Sequence, residues 1–272
     1  MDERYSNILR SGAVKPSDPA SRKPLVDSGG VRIQMKPAMA DMNGGKEEKC
    51  LRCSLIYERY DESGDSPNKR ELVDSIVRLE WEMFQDVQGS EGRAVCQEDP
   101  ETFRIMRASQ AMSWTERTLV SYLEDLREAK RKQRNLIFEK YARMMESTNP
   151  KGFREIEEEL PDLETGLSEL LEQIMEIVLA WEEELTDLYP HVLAKGRPLY
   201  SDQDTPWNTS VETYLRGEFS TYSKRTLKHY YADALHKRNN GENGSKTTLL
   251  HMVKHYGFSS CEEAERGMVS EQ

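Results

Sequence analysis

Apolar residues recur along most of this chain at the three-and-four spacing of helices, not at the alternation of strands. The clearest stripe is Leu163, Leu167, Leu170, Leu171, Ile174, Ile177, Val178, Trp181, Leu185 and Leu188. It predicts a core helix over 163–188 with nothing charged interrupting its inner face. Comparable stripes predict helices near 69–88, 100–112, 115–132, 135–147, 151–159, 209–238, 246–256 and 260–268. Boundary chemistry supports them. Asp99-Pro100 and Asn149-Pro150 each offer a side-chain cap followed by proline at the first helical position. Asn68-x-x-Glu71, Thr209-x-x-Glu212 and Ser260-x-x-Glu263 have capping-box spacing, and Gly257 is placed to close a helix in a left-handed conformation. No period-2 run with turn chemistry appears, so the predicted fold is all-α, a multi-helix and mostly antiparallel bundle. Its longest irregular segment is Pro190–Asn208, which carries Gly196, Pro198 and Pro206.

Residues 1–67 break the pattern. They hold the Pro/Ser/Gly-rich stretch Ser11–Pro24, the pairs Gly29-Gly30 and Gly44-Gly45, and no apolar period longer than one turn. This predicts a disordered N-terminal leader over 1–67, with a short helical piece at Lys49–Tyr60, and one all-helical domain over 68–268. Composition agrees: the 272 residues are 36% hydrophobic and 32% charged, and removing the leader raises the apolar density of what remains. Lys and Arg number 38 against 49 Asp and Glu, for a formal charge of −11. The leader is neutral, 11 against 11, so the helical domain carries the whole excess. No strongly basic face is available for phosphates, which argues against a nucleic-acid partner. No run approaches the roughly 20 apolar residues of a membrane helix, so no membrane partner is expected. The opening residues lack the apolar stretch of a secretory signal, and four cysteines without framework spacing suit a reducing compartment. A cytoplasmic location is expected.

Several helical faces are too polar. In the helix near 69–88, Val73, Ile76, Val77, Met83, Phe84 and Val87 define the inner face, and Glu80 falls near its middle. In 209–238, Val211, Tyr214, Leu215, Tyr222 and Thr226 point inward with Glu218 among them, and His229, Asp233 and His236 continue that line. Arg107 and Gln110 share the face of Phe103 and Met106, and Lys140 borders the stripe of Ile137, Tyr141 and Met144. A lone buried charge is costly, so these groups should be paired, hydrogen-bonded or neutralised. Two readings follow. One is a buried ionic network that fixes helix register. The other is a polar pocket for a small molecule, with Glu80 and Glu218 as acid/base groups. In that pocket Arg107 and Lys140 would anchor an anionic group, with Gln110, Tyr214 and Tyr222 orienting the ligand.

Other motifs are weaker. Cys96 lies just before Asp99-Pro100, near the positive end of a helix, where a thiol can gain thiolate character and act as a nucleophile. Cys50-Leu-Arg-Cys53 has metal-ligand spacing but no second pair. His251-x-x-x-His255 and the line His229, Asp233, His236 each share a helical face, without the accompanying glutamates of a zinc protease or di-iron bundle. No Gly-x-Gly-x-x-Gly, P-loop or Gly-x-Ser-x-Gly is present, so no metal is expected and no particular cofactor is indicated. The terminal helix–Tyr256-Gly257-Phe258-Ser259-Ser260–helix unit has the rhythm of a helix-turn-helix, but Glu262, Glu263 and Glu265 on its second helix would repel phosphates. It reads as a plain helical hairpin.

Leu72–Gln88, Cys96–Phe103, Trp114, Tyr122–Leu126, Asn135-Leu136, Lys140–Met144, Gly196-Arg197-Pro198, Tyr214–Glu218, Tyr222-Ser223 and Thr226-Leu227 together resemble blocks of a mainly bacterial domain-of-unknown-function family. The resemblance spans about 70–266 and leaves the leader outside. The matched positions include Glu80, Cys96, Arg107, Gln110, Lys140 and Glu218, and the family implies no activity for them. The resulting expectation is a small-molecule binding protein or biosynthetic enzyme with a buried carboxylate, Arg and Lys pocket, in a specialised metabolite pathway. The alternative is a non-catalytic acidic helical module that engages a protein partner.

Overall fold

The computed structural model describes residues 34–35, 67–88, 95–194 and 196–270. The expected leader, its helical piece at Lys49–Tyr60 and the Cys50/Cys53 pair lie outside the described residues, save for Gln34, Met35 and Pro67. The fold is all-α. Among the described residues eleven α-helices follow in order: α1 Pro67–Asp86, α2 Pro100–Met112, α3 Glu116–Arg131, α4 Leu136–Thr148, α5 Pro150–Arg154, α6 Leu167–Leu188, α7 Pro190–Leu193, α8 Val211–Phe219, α9 Lys224–Asn239, α10 Gly244–His255 and α11 Cys261–Ser270. Beyond α1, Val87–Gln88 makes a two-residue antiparallel pairing with Gln34–Met35.

Most helix boundaries follow the predicted chemistry. Asp99 accepts from the Thr102 amide at 3.0 Å, and Asn149 from the Gly152 amide at 3.1 Å, each ahead of a proline. Gly257 has φ +93°, a left-handed conformation that a side chain would strain. Four boundaries differ from expectation. Helix α1 begins one residue before Asn68, whose amide instead donates to Glu116 at 3.2 Å. Helix α6 starts at Leu167, not 163, because Gly166 turns the chain with φ +73°. Ser210, not Thr209, caps α8, accepting from the Thr213 amide at 3.1 Å. At the last start, Ser260 accepts from the Glu263 amide, but the Glu263 carboxylate returns to the Ser259 amide at 2.7 Å.

The largest correction concerns 209–238, predicted as one helix. It breaks at Ser220–Ser223, where short hydroxyl side chains bond the local backbone. Ser220 Oγ donates to the Arg216 carbonyl at 2.6 Å and Thr221 Oγ1 to that of Glu218 at 2.8 Å, while Ser223 caps α9. Asp125 of α3 holds the break in place, accepting from the Ser223 amide at 3.0 Å and the Thr226 hydroxyl at 2.6 Å. The predicted 151–159 helix likewise ends at Arg154, followed by a 3₁₀ turn at Glu157–Glu159.

Helix α1 packs against α2, α3 and α4, while α8 packs on α4 and α6 and α9 on α3 and α6. The main core lies among these helices, with Val73, Ile76, Leu119, Leu126, Ile174 and Phe219 fully enclosed. A second core joins α10 and α11 to α7 and to the ends of α2 and α6 through Ile105, Leu185, Val192, Leu249, Met252 and Cys261. Two local features fix how α4 meets its neighbours. Gly217 lets α8 sit directly on α4, since a Cβ there would lie 2.9 Å from the Lys140 carbonyl oxygen and 2.8 Å from Met144. Asn135 ties the start of α4 to the end of α1, accepting from the amides of Ile137 and Phe138 while donating to the Met83 carbonyl at 2.7 Å.

Candidate functional site: a four-charge chamber beside a cleft

Four helices each send one charged side chain into the same interior volume. Glu80 comes from α1, Arg107 from α2, Lys140 from α4 and Glu218 from α8, with exposures of 0%, 7%, 4% and 2%. Two negative and two positive charges balance. Arg107 is the hub. Its Nε and Nη2 reach the two oxygens of Glu80 at 2.8 and 2.5 Å, a forked pairing that only a guanidinium can make. Its Nη1 lies 3.1 Å from both oxygens of Glu218 and 2.7 Å from the Gln110 carbonyl oxygen. Gln110 in turn donates to Glu218 at 2.9 Å, and Lys140 donates to the other Glu218 oxygen.

Two tyrosines complete the set. Tyr122 of α3 donates to Glu80 at 2.8 Å, and Tyr222 folds back from the helix break to donate to Glu218 at 2.7 Å. Tyr222 lies just past the end of α8, one turn after Glu218, the spacing at which two side chains share a helical face. All four carboxylate oxygens therefore accept hydrogen bonds. Trp114 packs edge-on against Tyr122 and Tyr222 at centroid distances of 5.5 and 6.0 Å, closing this side with apolar surface. The Lys140 ammonium stands 3.5 Å from the centre of the Tyr214 ring, and the Arg197 guanidinium lies 5.2 Å from that ring.

The electrostatics follow from burial set against partners. Burial opposes the charge on Glu218, yet Arg107 and then Lys140 outweigh it and hold the carboxyl well below the usual range. Burial likewise opposes the charge on Arg107, and Glu218 and Glu80 overcome it, holding the guanidinium well above its ordinary value. Lys140 goes the other way: burial, helped by the positive Arg107, exceeds the pull of Glu218 and brings the ammonium down to about 8. Burial and then the Glu80 charge push the Tyr122 hydroxyl well up, and burial with the Glu218 charge does the same for Tyr222, so both remain donors.

A cleft of about 90 Å³ lies against this chamber, between α2, α6, α8, α9 and α10. Arg107, Gln110 and Tyr214 belong to both, so the network forms part of the cleft lining. From the other side come Trp181 and Glu182 of α6 and Tyr230, Asp233 and Lys237 of α9. Gly244 admits Trp181 closely; a Cβ there would meet the indole ring at 2.7 Å.

Of the residues singled out from sequence, Glu80, Arg107, Gln110, Lys140, Tyr214, Glu218 and Tyr222 converge here. Cys96 sits elsewhere, on the 3₁₀ turn Val95–Glu98, half-buried against the main core beside Tyr141. The line His229, Asp233, His236 does not form a cluster: Asp233 accepts the hydroxyls of Thr115 and Thr118 at 2.6 Å each, while His236 meets Asn240. Among the described residues no three His, Cys, Asp or Glu side chains are placed to hold a metal ion. Two participants escape the pattern. Tyr122 looks like an ordinary core residue. Glu182 is buried although α6 was expected to carry no charge inward, and its spacing, four after Val178 and three before Leu185, puts it on the stripe.

The family model for "Protein of unknown function (DUF4125)" matches residues 70–266. The chain belongs to that family. Neither a curated protein nor a solved structure matches it. No described helix is long and apolar enough to cross a membrane.

Proposed function

We propose that this domain binds a small polar molecule in the cleft beside the charge network, in the service of a biosynthetic step. The observation that carries the reading is shared membership: Arg107 and Gln110 are hydrogen-bonded members of the buried network and also line the cleft. A ligand there would meet groups whose rotamers are already fixed, which lowers the entropic cost of binding. In this reading Glu80 and Glu218 hold Arg107, Gln110 and the two tyrosines in place, since all their oxygens are engaged. Lys140 is the member whose protonation lies nearest neutrality, at about 8, and proton exchange belongs to it. It stands behind the Tyr214 ring, so Tyr214 governs its access to the cleft.

The test is a thermal-shift screen of the full chain against small metabolites of every charge class, with Ser245→Phe as a cleft-filling control at the start of α10. Saturation at about 100 times Kd adds about 2.7 kcal/mol, or roughly 5–10 °C for a domain of this size. Such a rise in the wild type, absent from Ser245→Phe, supports the reading. A flat response to every class at millimolar concentration overturns it.

A further inference from the structure

Each charged side chain on the cleft already has its answer within the protein. Arg107 is enclosed by Glu80, Glu218 and Gln110, and with Lys140 the charges of that network cancel. The Lys237 ammonium donates to the Ser113 carbonyl at 2.5 Å, and the negative charge of Asp233 favours its protonated form. Asp233 accepts the hydroxyls of Thr115 and Thr118 at 2.6 Å each, with the Arg117 guanidinium 3.6 Å away. Glu182 is engaged as well. A charged guest would give up its hydration here without meeting an opposite charge free to replace it, which is costly away from water. The cleft rewards neither sign.

Its open polar groups are two hydroxyls. Gln110, Ser113 and Thr248 turn their side chains to partners within the protein. Among the described residues, Tyr230 of α9 and Ser245 at the start of α10 make no side-chain hydrogen bond, although both line the cleft. Tyr230 is fixed by its ring instead, edge-on to Trp114 at 5.9 Å and tilted against Phe219 at 4.9 Å. Burial raises its hydroxyl, and the charges of Glu218, Glu182 and Asp233 raise it further, so it keeps its proton and can donate it. A phenol held by its ring and left without a protein acceptor is satisfied only by water or by a guest. Met106, Val178, Trp181 and Met252 give the remaining walls an apolar character.

We propose that the cleft takes a small uncharged organic molecule, its oxygen accepting a hydrogen bond from the Tyr230 hydroxyl and its apolar body lying against Trp114, Trp181 and Val178. The proposal rests on the reading of the cleft as a ligand seat, and adds the charge class of the ligand and the donor that recognises it. Size limits the part that enters. A cavity of about 150 Å³ suits benzene, so about 90 Å³ suits on the order of four non-hydrogen atoms, with the rest of a larger ligand extending outward.

Propionamide, propionate and propionamidinium share one frame and differ in charge. Each is titrated into the full chain at pH 7, read by tryptophan fluorescence and ligand-observed NMR. Propionamide is expected to bind at least about tenfold more tightly than either charged probe. Tyr230→Phe keeps the ring and should weaken propionamide by about fivefold, the effect of one neutral hydrogen bond. It should leave the Tm of the free chain unchanged, since no protein group loses a partner. A lowered Tm would show that the hydroxyl already serves the fold and would overturn its role as donor, as would unchanged propionamide binding. A charged probe that binds as tightly as propionamide overturns the uncharged assignment. Each of these results leaves the ligand seat intact. If none of the three probes binds, the hits of the thermal screen decide. Uncharged hits weakened by Tyr230→Phe sustain the proposal, charged or unaffected hits overturn it alone, and an empty screen overturns both.

Discussion

Removing Arg107 should be far more damaging than removing any one contact, and the damage should be partly reversible by a second loss. Arg107→Met leaves two buried carboxylates sharing the single cation Lys140, in a chamber where no member is more than 7% exposed. Breaking a buried pair by deleting one partner costs about 3–5 kcal/mol, because the orphaned charge keeps its desolvation penalty. Adding Glu80→Gln restores neutrality, with Glu218 facing Lys140 alone. If the four charges act as one network, the double variant is more stable than the sum of the two single losses by about 2 kcal/mol. Arg107→Lys serves as an intermediate case: it keeps the charge and loses the fork onto Glu80. Urea unfolding at pH 7 reads each variant as a midpoint shift at constant m, roughly 1–3 M for the Met substitution. Additivity within about 0.5 kcal/mol would show that the charges are independent and would refute the network argument.

The pH response should have a sign on each side of neutrality. Glu218 is held below its ordinary range, so its contribution is complete above the unfolded carboxylate value and lost as pH falls beneath it; wild-type stability should drop on acidification more steeply than that of Glu218→Gln. For Lys140, brought down to about 8 from 10.5, the unfolded chain binds more protons between those values, so this group adds stability as pH rises through that window, an increment that Lys140→Met should lack in alkaline urea titrations. Gly217→Ala should destabilise by about 1–3 kcal/mol in thermal unfolding despite alanine's better helix propensity, because the Cβ collides with the α4 backbone; a rise in Tm would contradict the packing described. Gln97→Ala should cost about 1–3 kcal/mol, since its amide donates to the carbonyls of Phe84 at 2.6 Å and Val87 at 2.8 Å where α1 ends, and an unchanged urea midpoint would show those carbonyls find other partners.

What made Glu80, Arg107, Gln110 and Glu218 legible in the sequence was a contradiction within each helix. Each sits on a stripe that has to be buried, and an ionised or amide group there demands a partner. Helix periodicity gives the direction in which a side chain points, so four inward polar groups in one bundle had few places to go except towards one another. Partner identity was a different matter. The forked Arg107–Glu80 pairing depends on how α1 and α2 cross, which no single stripe contains. The helix break at Ser220–Ser223 was written in the sequence as four consecutive hydroxyl-bearing residues, three of them, Ser220, Thr221 and Ser223, short enough to bond the local backbone. It was hidden because the apolar period runs through it unbroken from Leu215 to Tyr222 and Thr226.

Glu182 shows why the inner face of a helix should be counted by angle and not by the residues that match it. A list of apolar positions 163 to 188 is complete without it, yet Val178, Glu182 and Leu185 stand one turn apart on the same side. Its burial also separates two jobs that carboxylates perform in this molecule. Glu80 and Glu218 are enclosed by donors on both oxygens and set the geometry of Arg107, Gln110, Tyr122 and Tyr222. Glu182 and Asp233 line the adjoining cleft together with Arg107 and Lys237. The first pair is locked by opposite charges and donors from four helices, whereas Asp233 is held by the hydroxyls of Thr115 and Thr118 at the start of α3.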